Sequence, residues 1–288
     1  MRYPIVKIKT EDNIPLYGML LEPPQKTDTL FIAIHGTASN FYENDFMEAI
    51  TKKLYQKKIS LLLTNNRGAY ILQAYPLAGA AIEKFEDCVK DIDAWIFFAL
   101  KKGYKKIILQ GHSLGAEKVV YYMNYGIHKK KISAVVLLAP SDSFGYERAY
   151  SKNFRILIKE AESMIKSGKE EEFLRSTWLS YSGIMPRSAL SYYNFLKEDS
   201  ELSKALPFHN KTLPFYQKIK IPILAVIGDQ TEYTLLPVPE ALELMKKDNP
   251  LTEDHQLKNC DHDFNGKEEE LADIVAKFVE NTFEEKIR

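Results

Sequence analysis

The sequence predicts an α/β fold in which a mostly parallel, twisted sheet is covered by helices on both faces. Short apolar runs such as 30–34 and 60–64 alternate with stretches of helical spacing, and uninterrupted apolar runs are typical of parallel strands buried on both faces. This alternation favours crossover connections and therefore parallel pairing. Between about Ser143 and Lys220 the chain becomes charged, aromatic and helical. That break is too long for an ordinary loop and indicates an inserted helical cap.

The first two strands differ from the others because apolar and polar residues alternate along them. Ile5 to Thr10 and, less regularly, Pro15 to Leu21 show this period of two, and Asp12-Asn13 between them predicts a hairpin turn. We therefore expect the pair at an antiparallel edge of the sheet. Helices are predicted over 41–55 and 85–99, where apolar residues recur at three- and four-residue steps.

The remaining elements place the cap after the sixth strand. Apolar runs predict the fifth and sixth strands at 107–110 and 133–139. The other predicted elements are a helix over 116–125, a strand at 221–227, a helix over 239–246, a strand at 252–257 and a final helix over 271–279. We therefore assign residues 1–142 and 221–288 to an α/β core and residues 143–220 to the helical cap.

The composition argues against several kinds of partner. Among 288 residues, Lys plus Arg and Asp plus Glu both number 39, so no charge excess favours nucleic acid or an anionic membrane surface. The two cysteines, Cys88 and Cys260, lie far apart in the sequence, and this scarcity suits a reducing compartment. No apolar run approaches the ~20 residues of a membrane span, and no signal-peptide core is visible. We expect a cytoplasmic protein that binds neither nucleic acid nor membrane.

The pentapeptide Gly111-His112-Ser113-Leu114-Gly115 is the most informative motif. It joins an apolar strand to a helix, which is the pattern of a nucleophile elbow. So tight a turn strains the backbone at the serine, and side chains two positions before and after it would clash, so glycine is needed at both. The hydroxyl then stands clear of the sheet, close to the N-terminus of the next helix. Ser113 is therefore the predicted nucleophile.

Together with four further motifs, this pentapeptide resembles the α/β-hydrolase superfamily of serine hydrolases, over nearly the whole chain outside the cap. The further motifs are His35-Gly36, Asn66-Arg67-Gly68, Gly228-Asp229 and Asp261-His262. The position of the cap resembles carboxylesterases, feruloyl-type esterases and lipases. The combination of residues 65–68, the elbow and residues 261–262 is also similar to a group that includes fungal siderophore-ester hydrolases.

The resemblance implies an ester-cleaving site built from several loops. A serine hydroxyl needs an adjacent base, and His262 is the predicted base because it follows the nucleophile and the expected acid in chain order. The backbone N–H groups of Thr37 and Leu114 are the predicted oxyanion-hole donors. His35 is expected to hold the shape of its loop, and Arg67 either braces the same region or is exposed to solvent.

The acid of the triad is the open position. In the family pattern it stands three residues after the glycine of the late strand, where this chain has Thr231. Three carboxylates are candidates: Glu232 is the next residue, Asp229 lies two positions earlier, and Asp142 follows the sixth strand, where some lipases carry their acid. A chain with no acid at all would lose roughly four decades in rate, while ~10³–10⁴ over water would persist.

These residues predict a serine hydrolase that cleaves carboxylic esters of small or medium apolar or aromatic acyl groups through an acyl-enzyme. Its partner is then a small-molecule ester. Aromatic residues in the cap suit such a substrate, and they equally suit packing onto the sheet. These residues are Tyr146, Tyr150, Phe154, Trp178, Tyr181, Tyr192, Tyr193 and Phe195.

Two other functions stay open at this point. Acyl transfer or amide hydrolysis would use the same residues, and a binding protein could keep the fold while its catalysis is weakened. The sequence shows neither metal-ligand spacing nor a dinucleotide-binding loop, so we expect no cofactor.

Overall fold

Eight strands form one mixed sheet through the centre of the protein. The structure is a computed structural model that describes residues 4–175, 179–180, 183–230 and 232–284. The strands are β1 (Ile5–Lys9), β2 (Pro15–Leu21), β3 (Thr29–Ile34), β4 (Ser60–Thr64), β5 (Lys106–His112), β6 (Ile132–Leu138), β7 (Ile223–Gly228) and β8 (Thr252–Leu257). Their order across the sheet is β1-β2-β4-β3-β5-β6-β7-β8.

Strands β3 to β8 run parallel to one another, whereas the hairpin of β1 and β2 is antiparallel. Ile8 lies opposite Leu16 within the hairpin, and β2 continues the antiparallel pairing to β4. In the parallel part, Ile32 of β3 lies between Leu62 of β4 and Leu109 of β5. Because parallel strands end at the same edge of a sheet, the loops after β3, β5 and β7 meet there. The predicted parallel sheet and its edge hairpin are confirmed.

Helices cover both faces of the sheet. Within the described residues they are α1 (Asp45–Gln56), α2 (Cys88–Lys101), α3 (Leu114–Tyr125), α4 (Ser143–Tyr150), α5 (Phe154–Lys166), α6 (Ala189–Leu196), α7 (Val238–Asp248) and α8 (Glu268–Glu284). Side chains of α1 and α8 pack on one face, and those of α2, α3 and α7 pack on the other. No helix in the described ranges combines the length and apolar character that a bilayer span requires.

Helix α1 begins four residues later than the sequence pattern predicts. The prediction began it at Phe41, but the Phe41 N–H donates to the side-chain oxygen of Asn65, at 2.9 Å. The next N–H, that of Tyr42, donates to the side-chain oxygen of Asn40, at 3.0 Å. The Asn40 side chain thus forms a local turn with the N–H two residues on, which competes with the helical conformation. The segment before Asp45 therefore forms a loop at the carboxyl edge of the sheet.

The insertion between β6 and β7 packs over the elbow helix. It contains α4, α5 and α6, together with two short antiparallel strands of two residues each, Leu179–Ser180 and Gly183–Ile184. Leu157 of α5 and Tyr192 and Phe195 of α6 are buried in one cluster with Leu114 at the start of α3. Tyr192 and Phe195 thus pack the insertion onto the core. Trp178 and Tyr181 lie outside the described residues.

The last part of the insertion packs against the sheet instead. Leu206, Phe208 and Tyr216 are buried in the same cluster as Val119 of α3 and Leu109 of β5. Residues that the sequence assigned to the cap therefore contribute to two clusters, one with the elbow helix and one with the sheet. The domain boundaries at 142/143 and 220/221 stay a prediction.

Candidate active site

Ser113 occupies the tight turn between β5 and α3. Its φ is 55° and its ψ is −126°, a conformation that non-glycine residues rarely adopt and that stores strain when the surroundings enforce it. The residue is 9% exposed. Strand β5 ends at His112 and α3 begins at Leu114, so the serine stands between the two elements at the carboxyl edge.

The glycines on either side of Ser113 are required by close backbone contacts. A Cβ at Gly111 would lie 2.3 Å from the carbonyl oxygen of Gly115, and a Cβ at Gly115 would lie 2.5 Å from the carbonyl oxygen of Ile34. Real Cβ atoms do not approach backbone atoms this closely. The sequence-based reason for glycine at both positions is therefore confirmed.

The loop after β3 lies directly against the elbow. A Cβ at Gly36 would lie 3.1 Å from the Cβ of Ser113, which brings the neighbouring Thr37 to the same side of the sheet. His35 ties this loop to the loop after β4. Its Nδ1 lies 2.8 Å from the Gly36 carbonyl oxygen, and its Nε2 lies 3.0 Å from the backbone nitrogen of Asn66.

The protonation of His35 follows from these contacts. Burial lowers the pKa of His35 to about 3, so the ring is neutral at physiological pH. A neutral ring fits both contacts only if Nδ1–H donates to the carbonyl and Nε2 accepts the Asn66 N–H. His35 thus holds the loop in shape, as the sequence indicated, and Thr37 on that loop is partly buried.

His262 and Glu232 form a buried pair beside the elbow. The Nδ1 of His262 lies 2.7 Å from Oε2 of Glu232, and the two side chains are 14% and 2% exposed. The other carboxylate oxygen, Oε1, accepts the Gly228 N–H at 3.2 Å. Burial raises the pKa of Glu232, and the hydrogen bond from His262 offsets part of that rise. The carboxylate therefore has two donors, one from the strand end and one from the histidine.

The opposite nitrogen of His262 faces no partner. Its Nε2 is buried and makes no hydrogen bond with any described residue, so the Ser113 hydroxyl is not bonded to it. Serine–histidine bonds are often formed only when the substrate is present. His112 links the two residues instead, because its Nε2 lies 3.0 Å from the His262 carbonyl oxygen.

The other two acid candidates bind elsewhere. Asp229 is exposed, and its Oδ1 accepts the Cys260 N–H at 3.1 Å; backbone N–H groups at Cys260 and Asn259 lower its pKa. Asp142 lies 2.6 Å from Nδ1 of His209. The expectation that either carboxylate faces His262 is therefore corrected, because other donors hold both. Thr231 lies outside the described residues.

An aromatic pair that sequence reasoning missed lies against His262. The ring of Tyr233 meets the His262 ring edge-on, with centroids 4.6 Å apart, and Tyr146 of α4 meets Tyr233 in the same manner at 5.0 Å. Tyr146 in turn contacts Tyr150, whose side chain is largely exposed. Of the predicted cap aromatics, Tyr146 is thus one that reaches the histidine through Tyr233. Its partner Tyr233 carries no sequence signal except that it follows Glu232.

Arg67 is buried in a cluster of carboxylates and is not exposed. The side chain is 10% exposed and forms ion pairs with Asp12, Asp87 and Asp91, at 2.9, 3.1 and 2.9 Å. Asp91 also accepts the Arg67 backbone N–H. The cluster fixes the loop after β4 onto α2. The sequence contained a signal for a buried carboxylate here, because Asp91 stands three residues after Cys88 on the apolar face of α2.

The described residues offer no group of three His, Cys, Asp or Glu side chains that could hold a metal ion. What the arrangement offers is a strained serine, a histidine paired with a buried carboxylate, and a loop with backbone donors. These are the parts that nucleophilic acyl chemistry requires.

Solved structures with the same fold are known. The α/β-hydrolase GrgF from a Penicillium species is 15% identical with a TM-score of 0.68, over 98% of this chain and 99% of that chain. Est1E from Butyrivibrio proteoclasticus, solved with ferulic acid bound, is 18% identical with a TM-score of 0.66, over 96% of this chain and 98% of that chain. At such identities the likeness shows the fold, which is the predicted α/β-hydrolase fold.

Comparisons of sequence give one curated relative and one family. "Putative esterase/lipase 3" of Mycoplasma genitalium is 26% identical over 186 residues, which cover 61% of this chain and 63% of the relative. The match thus spans less than two thirds of that protein. DUF1749, a family described as proteins of unknown function, matches residues 24–280. Because this match covers most of the sequence, the chain belongs to the DUF1749 family.

Proposed function

We propose that the protein is a serine hydrolase that cleaves carboxylic esters through an acyl-enzyme. The observation that carries the proposal is the buried Glu232–His262 pair, at 2.7 Å, beside a serine held at a φ of 55°. Ser113 is the nucleophile, His262 the general base and Glu232 the acid that orients it.

In the first step, Ser113 Oγ attacks the ester carbonyl carbon while its proton passes to Nε2 of His262. The carbonyl oxygen becomes an oxyanion, and the backbone N–H groups of Thr37 and Leu114 stabilise it. Glu232 accepts the Nδ1–H and thereby leaves the Nε2 lone pair facing the serine. The imidazolium then gives its proton to the leaving alkoxide as the C–O bond of the ester breaks.

In the second step, water replaces the alcohol. His262 takes a proton from the water, whose oxygen attacks the acyl carbon, and the same proton returns to Ser113 Oγ as the acyl–enzyme bond breaks. The carboxylic acid leaves and the serine is regenerated. The cycle consumes one ester and one water and needs no cofactor.

Two comparisons support this activity and its substrate class. The curated relative is named as an esterase or lipase, and Est1E binds ferulic acid, an aromatic acid. In this chain, Tyr233 and Tyr146 form an aromatic wall that starts at His262. We infer esters of small or medium apolar or aromatic acyl groups, because such a wall favours flat apolar groups.

The same contacts bear differently on the two alternative functions. Acyl transfer or amide hydrolysis would use the same residues and differs only in which nucleophile reaches the acyl-enzyme. The alternative of a binding protein with weakened catalysis rests on Thr231 at the expected position of the acid. The Glu232–His262 pair favours the hydrolase over this alternative, since a carboxylate faces the histidine.

Replacement of the nucleophile tests the proposal. In Ser113→Ala, hydrolysis of aryl esters is expected to fall by about 10⁶-fold, and labelling by a fluorophosphonate should disappear. Ser167→Ala is the matched control because Ser167 is an exposed serine at the end of α5. Ester hydrolysis that survives in Ser113→Ala, in a folded protein, would show that the assignment is wrong.

A further inference from the structure

A small cavity lies behind the loop that carries Thr37. It is bounded by the start of α1 and by the carboxyl ends of β3, β4 and β5, and its volume is about 20 Å³. A cavity needs about 10–15 Å³ of such free space to hold one water molecule, together with two to four polar partners. The size therefore suits one water molecule.

Two buried amides on the cavity wall have donors without a partner. Asn40 and Gln110 are both 1% exposed, and neither Asn40 Nδ2 nor Gln110 Nε2 makes a hydrogen bond with a described residue. The orientation of Asn40 is fixed because its Oδ1 accepts the Tyr42 N–H at 3.0 Å, which leaves Nδ2 as its unpaired end. A buried donor without a partner is unfavourable, so a ligand that accepts both N–H groups is favoured.

Two further wall residues offer acceptors. The Thr64 hydroxyl donates its hydrogen to the Ala33 carbonyl oxygen at 2.7 Å, so the Oγ1 lone pairs can accept. Burial lowers the pKa of His112 to about 3 and keeps its ring neutral. Because Nε2 faces the His262 carbonyl oxygen at 3.0 Å, Nε2 carries the hydrogen and Nδ1 keeps a lone pair.

We propose that this cavity binds one water molecule, which accepts the N–H groups of Asn40 and Gln110 and donates to Thr64 Oγ1 and His112 Nδ1. Two donors and two acceptors match the four hydrogen bonds of a water molecule. A cation would face the two N–H groups and an anion would face the two lone pairs, so a neutral ligand fits best.

The proposed site connects three parts of the active site. Asn40 belongs to the loop that carries Thr37, Gln110 directly precedes Gly111 of the elbow, and His112 donates to the carbonyl of His262. The bound water thus ties the loop that carries Thr37, one of the two proposed oxyanion donors, to the elbow strand and positions that loop relative to Ser113. Gln110 is in this sense a positioning residue.

A high-resolution crystal structure tests the site directly. We expect one spherical density peak within hydrogen-bonding distance of Asn40 Nδ2 and Gln110 Nε2. A dry cavity, a direct bond between the two amides, or an ion in place of water would overturn the proposal. This readout does not depend on activity, so it stands apart from the proposed esterase function.

The variant Gln110→Met tests the positioning role. Methionine keeps the volume of the side chain and removes the amide, so the water loses one of its four hydrogen bonds. The peak should lose occupancy or move away from residue 110 while the protein stays folded, as followed by thermal unfolding. We expect kcat for ester hydrolysis to fall by about 10–100-fold with KM unchanged, because the N–H of Thr37 shifts. Gln217→Met, at an exposed glutamine, is the matched control.

The effect on kcat rests on the proposed function, and the outcomes separate the two. If the peak weakens or moves in Gln110→Met but kcat stays at the wild-type value, the positioning role is wrong and the esterase proposal stands. If the wild-type peak is present but Ser113→Ala hydrolyses esters normally, the esterase proposal fails and the water site stands.

Discussion

Two histidine–carboxylate pairs of nearly equal geometry lie at the carboxyl edge of the sheet. Nδ1 of His262 is 2.7 Å from Glu232, and Nδ1 of His209 is 2.6 Å from Asp142. Both carboxylate side chains are 2% exposed. Distance and burial of the carboxylate therefore do not distinguish the pair that we propose to be catalytic from the other pair.

What distinguishes them is the set of other contacts. Asp142 also accepts the backbone N–H of His209 and that of Gly145, at 2.7 and 2.8 Å, so it caps α4 and closes the turn at 208–210. His209 then packs its ring against Phe144. His262, in contrast, is bonded through its carbonyl to His112, the residue before Ser113. A short His–carboxylate contact is thus structural or catalytic according to its position relative to the nucleophile.

Among the changes that probe this comparison, Glu232→Gln should have the largest effect. The Gly228 N–H can only donate, so it retains the amide oxygen, and the NH₂ group then faces Nδ1 of His262. This favours the tautomer with hydrogen on Nε2, which cannot take the serine proton, and kcat should fall by about 10⁴-fold with little change in KM. Steady-state kinetics on an aryl ester measure the effect. A loss of less than tenfold would mean that Glu232 is not the acid.

The corresponding change in the second pair, Asp142→Ala, should destabilise the protein and leave catalysis intact. It leaves the N–H groups of His209 and Gly145 without their acceptor, so the free energy of unfolding should drop by about 3 kcal/mol, as measured by urea denaturation. We expect kcat to stay within about threefold of the wild type. Asp199→Ala is the control, since its carboxylate is exposed. A kcat loss comparable with that of Glu232→Gln would erase the distinction between the pairs.

A third buried carboxylate, Glu117, has no histidine and sharpens the comparison through pH. It accepts from Ser141 Oγ, Ser143 Oγ and the Ser143 N–H, and burial raises its pKa from 4.5 to about 8. A carboxyl whose pKa is raised on folding stabilises the protein fully below pH 4.5. That stability is lost as the pH rises towards 8.

The variant Glu117→Gln removes this titration. Between pH 4.5 and 8 its unfolding free energy, from urea denaturation, should therefore fall less than that of the wild type, by up to about 4 kcal/mol. At pH 8 the variant should be more stable than the wild type. Parallel pH dependences of the two proteins would show that Glu117 does not titrate in this window.

The smallest expected effect is that of Tyr233→Leu, which removes the ring against His262 but not the carboxylate. Loss of one aromatic contact of about 0.5–1.5 kcal/mol should lower kcat/KM roughly two- to tenfold for aromatic acyl esters. Acetyl esters should be nearly unaffected, and the ratio of the two kcat/KM values is the measurement. Equal losses on both esters would mean that Tyr233 positions His262 and does not select the acyl group.

Much of the fold could be predicted because its signals are local. Strand β4 lies where the apolar run puts it and β2 where the alternating pattern puts it, and backbone clashes explain the glycines at 111 and 115. The predicted start of α1 is wrong because Asn40 forms a local turn with the Tyr42 N–H, and Asn65 holds the Phe41 N–H in the loop. Asn65 is 24 residues from Phe41, and no local pattern reports such a partner.

The sequence by itself determined the succession of core strands and helices along the chain, the strained turn at the serine and the histidine that follows the late strands. These depend on the periodicity of apolar residues, on the steric requirement for glycine and on chain order, all of which can be read from the sequence. Only the tertiary structure decided which carboxylate faces that histidine. Glu232, Asp229 and Asp142 are all carboxylates that follow strands at the same edge of the sheet. The sequence therefore could not decide which of them faces His262. In the folded protein a different backbone N–H holds each carboxylate: that of Gly228 holds Glu232, that of Cys260 holds Asp229 and that of Gly145 holds Asp142.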